Sequence, residues 1–162
     1  MSNYNFIGPA RLVRRGPIQG ASLYAAYRPL RFKELYGSAA IVGEGLKREL
    51  IKNDRKLSTP AIAFTGGSGT GKTTLSLIVA LALNCQDPQD EVEPCLKCIK
   101  CIGIISRAFE GPDRNYIVKN SASMKLDDTL DMINSDINSG TALINRKSGT
   151  RVIALEEAHN LT

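Results

Sequence analysis

The fold turns on residues 60–75, Pro60-Ala61-Ile62-Ala63-Phe64-Thr65-Gly66-Gly67-Ser68-Gly69-Thr70-Gly71-Lys72-Thr73-Thr74-Leu75. The short apolar run after Pro60 predicts a buried parallel strand over 61–65. Gly66 to Thr73 then satisfies the pattern G-x-x-x-x-G-K-[ST] at every specified position. Each residue type has a task in that pattern. The glycines let the backbone wrap an anion and aim N–H groups at it. Lys72 sets a cation beside the β- and γ-phosphates, and Thr73 offers a hydroxyl to Mg²⁺. From Thr73 to Leu83, the residues Leu75, Leu77, Ile78, Leu81 and Leu83 predict a helix too apolar for a surface, with its amino end toward the anion. A surface glycine loop with an accidental lysine would not need this strand, loop and helix order. The stretch therefore predicts an α/β fold that binds ATP with Mg²⁺.

Further along the chain, Asn115 to Lys119 and Arg151 to Leu155 predict a second and a third strand. Glu156 and Glu157 stand at the carboxyl end of the third. Glu156 suits the metal and its water shell, and Glu157 suits orientation of an attacking water; the plain alternative is a pair of solvated acids opening a helix. His159 either supports Glu157 or faces solvent. Helices are predicted over about 38–52, with Ile41, Val42, Leu46, Leu50 and Ile51 mostly on one face, over Ile104 to Phe109, and over Asp127 to Ile133 with Ser123 or Asp127 as cap.

Residues 84–102 break this rhythm with all four cysteines. Cys85, Cys95, Cys98 and Cys101 are spaced C-x9-C-x2-C-x2-C, a soft ligand set suited to tetrahedral Zn²⁺. An iron–sulfur centre and four buried unliganded thiols are the alternatives. Pro94 and the charged stretch 87–93 predict a projecting loop, poor in apolar core, that a metal closes and helps to fold.

The 162 residues suffice for one domain with a sizeable core, and 43% hydrophobic content fits a folded protein rather than a disordered one. The longest apolar run, Leu77 to Leu83, is far too short to cross a bilayer. No secretory pattern is legible in the first 20 residues, so the expected compartment is the cytoplasm, where thiols stay reduced. Residues 1–22 read as an irregular basic arm carrying Arg11, Arg14 and Arg15, followed by Arg28, Arg31 and Lys33. With a net charge of +5, that cluster is either a solvated surface or a phosphate-contacting one.

These features together resemble the ATPase subunit of the bacterial replicative clamp loader, the gamma/tau subunit of DNA polymerase III, in the AAA+ family. The likeness runs from about Leu23 onward. It is carried by Tyr27-Arg28-Pro29 with Phe32, the Walker A loop Gly66 to Thr74, Ala80 to Cys85, Pro94-Cys95 with Cys98 and Cys101, Asn120 to Ser123 with Asp127-Asp128, and Val152 to His159 as Walker B. The resemblance implies a P-loop NTPase with a three-layer αβα sandwich over 23–162, and a zinc-binding insertion at 85–102. It implies nucleotide contacts from Gly66, Gly67, Ser68, Gly69, Thr70, Gly71, Lys72, Thr73 and Thr74, with Tyr27, Arg28 and Pro29 near the adenine. It also implies ATP-driven loading of a sliding clamp on primer–template DNA, alongside other clamp-loader subunits in an oligomer.

This sequence departs from the family in two places. Glu156 stands where Walker B usually has aspartate, and Gly67-Ser68 stand where proline and a basic residue are common. The first suggests slow or lost hydrolysis, and together they suggest a divergent member from a phage or mobile element. The family's strand order 5-1-4-3-2 would be incomplete, since the chain supplies strands 1, 2 and 3. Strand 1 would then lack both neighbours, which predicts a fragment or a chain completed by a partner. A non-catalytic structural or regulatory subunit, another P-loop enzyme and a zinc-dependent DNA-binding module are the competing functions.

Overall fold

The computed structural model describes residues 27–110, 115–121, 127, 130–131, 134 and 149–158. The basic arm 1–22, His159 and most of the helix expected over 127–133 lie outside the described residues, although Asp127, Leu130 and Asp131 are helical. A 3-10 turn, Phe32–Glu34, leads into helix α1 (Ser38–Lys52), and helices α2 (Lys72–Asn84) and α3 (Ile99–Glu110) follow. Strands β1 (Tyr116–Asn120) and β2 (Val152–Glu156) pair in parallel, with Tyr116 opposite Val152 and Asn120 opposite Glu156. The architecture is a small mixed α/β domain.

Helix α2 is the centre because its sequence is apolar almost all round. Leu77, Ile78, Ala80, Leu81 and Ala82 are fully buried along it. One side of α2 (Leu77, Ala80, Leu81) meets Leu30, Ile104, Ile105 and Tyr116. The other (Leu75, Ile78, Val79, Ala82) meets Phe32, Leu35, Leu46 and Leu50. Two clusters thus share one helix, and a strand of the parallel pair runs beside it.

Helix α1 buries Ala39, Gly43, Leu46 and Leu50, a stripe at helical spacing. This corrects the face expected from sequence: Leu46 and Leu50 are inside, but Ile41, Val42 and Ile51 are exposed. The stripe rotates toward Gly43 because a glycine there admits close approach. A Cβ on Gly43 would stand 2.5 Å from Leu35 Cδ1. Gly37 begins the helix at φ 62, in the left-handed region that glycine adopts without steric cost.

Residues 61–65 form no strand, contrary to the expectation. Ala61, Ile62, Ala63 and Thr65 are exposed, and only Phe64 is half-buried, against the α1–α2 cluster. No strand lies beside them among the described residues, so their backbone groups have no ladder to join. Helix α3 also starts earlier than expected, at Ile99, and takes up Cys101.

Candidate functional sites: a glycine-rich loop and a four-cysteine cluster

The glycine-rich loop departs from ordinary backbone at Gly66 (φ 148), Gly69 (φ 78) and Gly71 (φ 91). Gly71 serves as N-cap of α2, and Leu75 N donates to its carbonyl at 2.8 Å. Helix α1 abuts the loop at this point, where a Cβ on Gly71 would lie 2.9 Å from Ala39 Cβ. Lys72 Nζ donates to Gly66 O at 2.9 Å and to Gly67 O at 2.7 Å, and Thr70 Oγ1 donates to Gly67 O at 2.9 Å. The lysine cation therefore lies over its own loop.

The loop meets the end of β2. Thr73 Oγ1 donates to Glu156 Oε1 at 2.6 Å, joining residues 83 positions apart. Ser121 Oγ donates to the Glu156 carbonyl, tying the end of β1 to the same point. Glu157 follows at φ 56, a left-handed conformation that is costly for a residue with a side chain. In the second turn of α2, Ser76 and the buried Tyr116 share a hydrogen bond at 2.9 Å. Burial raises the Tyr116 phenol above its ordinary pKa, against a lowering contribution from Ser76. Tyr27 is exposed and Arg28 and Pro29 are half-buried, leading into Leu30 in the first cluster and Phe32 in the second.

The four cysteine sulfurs lie within 4.8 Å of one another and form no disulfide. Four thiolates around one ion at about 2.3 Å stand roughly 3.8 Å apart, so the set fits a single tetrahedral metal with little adjustment. A multi-iron cluster would hold its thiolates farther apart. Backbone donors already face the sulfurs. Cys95 N donates to Cys85 Sγ at 3.3 Å, Lys97 N and Cys98 N to Cys95 Sγ at 3.4 and 3.3 Å, and Gln86 N and Cys101 N to Cys98 Sγ at 3.5 Å each. Leu96, at φ 62, makes the turn that aims the two N–H groups at Cys95. Burial opposes the thiolate at Cys98, but the N–H groups of Gln86 and Cys101, together with hydrogen bonds from the Cys101 and Cys95 side chains, outweigh it and bring its pKa down to about 7. Burial pushes the Cys85 and Cys101 thiols up. Such a closed all-sulfur set suits a structural ion.

The cysteine loop does not project. Cys85, Cys95 and Cys101 belong to the cluster around Leu77, Leu81 and Ile104, and Val92 sits in the other cluster beside Phe32. The expectation of a polar loop with little apolar core is corrected accordingly, because α2 and α3 supply the apolar walls. Glu93, from a stretch that looked solvated, is fully buried. Its carboxylate accepts from Phe32 N at 3.1 Å, Lys33 N at 3.2 Å and Lys47 Nζ at 3.2 Å. Arg31 returns the contact, donating from Nε to Pro94 O at 3.0 Å and from a terminal nitrogen to Cys95 O at 3.3 Å. Arg55 donates to Ala82 O and Cys85 O, and the Asn84 amide pairs with both backbone groups of Thr150. Nothing in the local sequence points to these long-range contacts, since Glu93, Arg31, Arg55 and Asn84 each meet a partner 27 to 66 residues away.

A mixed α/β domain with a glycine-rich helix entry and a four-cysteine cluster able to hold a metal is the class that fold and site define. The family model described as DNA polymerase III, delta subunit, matches residues 42–162, and the chain belongs to that family. It is 38% identical over 74 residues to DNA polymerase III subunit gamma/tau of Mycoplasma genitalium, a match covering 44% of this chain and 11% of the relative. It is 37% identical over 84 residues to DNA polymerase III subunit tau of Bacillus subtilis, covering 51% and 14%. Protein STICHEL-like 1 of Arabidopsis thaliana is 35% identical over 74 residues, covering 46% and 6%. The chain thus spans only a small part of each of these relatives. Among the described residues, no helix is long and apolar enough to cross a membrane.

Proposed function

We propose that this chain binds ATP with Mg²⁺ through Gly66 to Thr74, as the N-terminal portion of a clamp-loader-type AAA+ nucleotide-binding domain. The observation that carries the reading is the 2.6 Å contact between Thr73 and Glu156. The two groups expected to serve Mg²⁺, one from the loop and one from a strand end, meet at the amino end of α2. When bound, Mg²⁺ would supply charge neutralisation between the phosphates. Thr73 and Glu156 would hold that ion or its water. The loop N–H groups and the amino end of α2 would face the phosphates. Lys72 would exchange its two loop carbonyls for phosphate oxygens, a switch that leaves the ammonium hydrogen-bonded in both states. Glu157 would orient the attacking water, and Tyr27, Arg28 and Pro29 would flank the base. The four cysteines would hold zinc.

On this reading the larger assembly loads a sliding clamp on primer–template DNA in the cytoplasm, with other clamp-loader subunits as partners and an oligomer as the working form. A second reading is a nucleotide-binding subunit with weak or no turnover. It is favoured by glutamate at 156 and by residues 61–65, which lead into the loop without a strand partner among the described residues.

Titration of the zinc-loaded chain with ATP and ADP, with and without Mg²⁺, tests the first reading. Lys72→Ala should weaken ATP binding by about ten- to a hundredfold, the worth of charge-assisted hydrogen bonds. Failure of the folded chain to bind either nucleotide would refute the proposal. Turnover compared with a Glu157→Gln form separates the two readings: equal rates favour the non-catalytic one.

A further inference from the structure

The cysteine loop and the glycine-rich loop are joined by a continuous set of contacts that neither site requires by itself. Glu93 immediately precedes Pro94 and Cys95, and its carboxylate holds the backbone of Phe32 and Lys33. Arg31 holds the carbonyls of Pro94 and Cys95 in return. Four hydrogen bonds therefore clasp the 3-10 turn to the loop bearing the ligand Cys95. The Phe32 ring and Val92 pack in one cluster with Leu35, Ala39 and Leu75. Ala39 lies against Gly71, the residue whose left-handed backbone turns the glycine-rich loop into α2.

A buried carboxylate is an unusual means of joining two such segments. Glu93 is fully buried and pairs with the Lys47 ammonium, so the arrangement is stable only while its donors stay in place. If Cys95 shifts, Glu93 and Arg31 shift with it, and the turn that positions Ala39 against Gly71 loses its anchor. Residues 61–65, which lead into the glycine loop, pair with no strand among the described residues and only Phe64 is half-buried, so the sheet supports the loop through the Thr73–Glu156 contact and not from the segment before it.

We infer that Glu93 and Arg31 are positioning residues that couple metal occupancy of the four cysteines to the shape, and hence the nucleotide affinity, of the glycine-rich loop. The affinity part rests on the nucleotide-binding reading above; the structural part does not. Linkage makes the coupling reciprocal: if zinc tightens nucleotide binding by some factor, nucleotide tightens zinc binding by the same factor. We set that factor at about tenfold, within the usual range for such couplings.

The test uses the full chain, zinc-loaded or stripped with a chelator, and compares wild type with Arg31→Ala and Glu93→Gln. Amide resonances of Phe32, Lys33, Gly69 and Gly71 report the loop without any nucleotide. They should move on zinc removal in the wild type. In zinc-loaded Arg31→Ala, which keeps all four cysteines, Gly69 and Gly71 should already sit toward the zinc-free positions. ADP affinity should fall about tenfold in both cases, while zinc affinity measured by chelator competition without nucleotide changes much less in Arg31→Ala. Should Glu93→Gln fail to fold, Arg31→Ala decides alone. Gly69 and Gly71 resonances that ignore both zinc and Arg31 overturn the inference. Resonances that respond while no nucleotide binds to any form refute the nucleotide-binding reading and leave the link from metal to loop standing.

Discussion

At the scale of single residues, Cys85 and Cys101 set the chemistry of metal uptake. Burial raises both thiols, so they remain protonated at neutral pH, whereas Cys98 is poised near 7. The thiolate is the ligand form, so metal binding must displace protons. Zinc affinity should therefore rise with pH across the neutral range. The calorimetric enthalpy of zinc binding should also change with the ionisation enthalpy of the buffer, and an enthalpy independent of buffer would show that the thiols were already ionised. Glu93 is the other decisive residue. Replacing it with alanine leaves Lys47 without its carboxylate and strips acceptors from two backbone N–H groups. The expected cost is about 3–5 kcal/mol, read from urea denaturation of the zinc-loaded protein. No sequence pattern signals this role, because a glutamate between a valine and a proline in a charged stretch looks like any solvated loop residue. Its meaning comes from donors 60 and 61 residues away.

At the scale of elements, α1 and residues 61–65 show where pattern reading succeeds and fails. The extent of α1 was legible from its helical spacing. Its buried face was not, because the decisive residue is Gly43, which a hydrophobic pattern passes over. Gly43→Ala should push Leu35 and cost about 1–3 kcal/mol in thermal denaturation. Residues 61–65 present the opposite case. They have the composition of a buried strand, but a strand exists only when another chain segment accepts its hydrogen bonds. Ile62 is 37% exposed, so Ile62→Lys should change the stability of this chain by no more than about 0.5 kcal/mol. A loss of several kcal/mol would mean that the segment is buried in solution.

For the whole molecule, the consequence is that the cysteine cluster is part of the core. Three of its thiols line the cluster that also holds Leu77, Leu81, Ile104 and Tyr116. Removing the metal should therefore lower the cooperative unfolding temperature of the whole domain instead of fraying one loop. Scanning calorimetry with and without chelator checks this, and an unchanged main transition would contradict it. Family membership over residues 42–162 spans these same elements, from α1 through both strands.

The sequence alone determined the glycine-rich loop, the cysteine spacing, helix α2 and the two strands that pair. All of these are local patterns, in which residue type and spacing along the chain carry the chemistry. Only the tertiary structure decided that Thr73 reaches Glu156, that Glu93 clasps the 3-10 turn, that the cysteines sit in the core and that residues 61–65 stand outside the sheet. The physical reason is the same in each case. Burial, ion pairing and strand pairing depend on partners distant in sequence, and one segment does not reveal which distant segment will meet it.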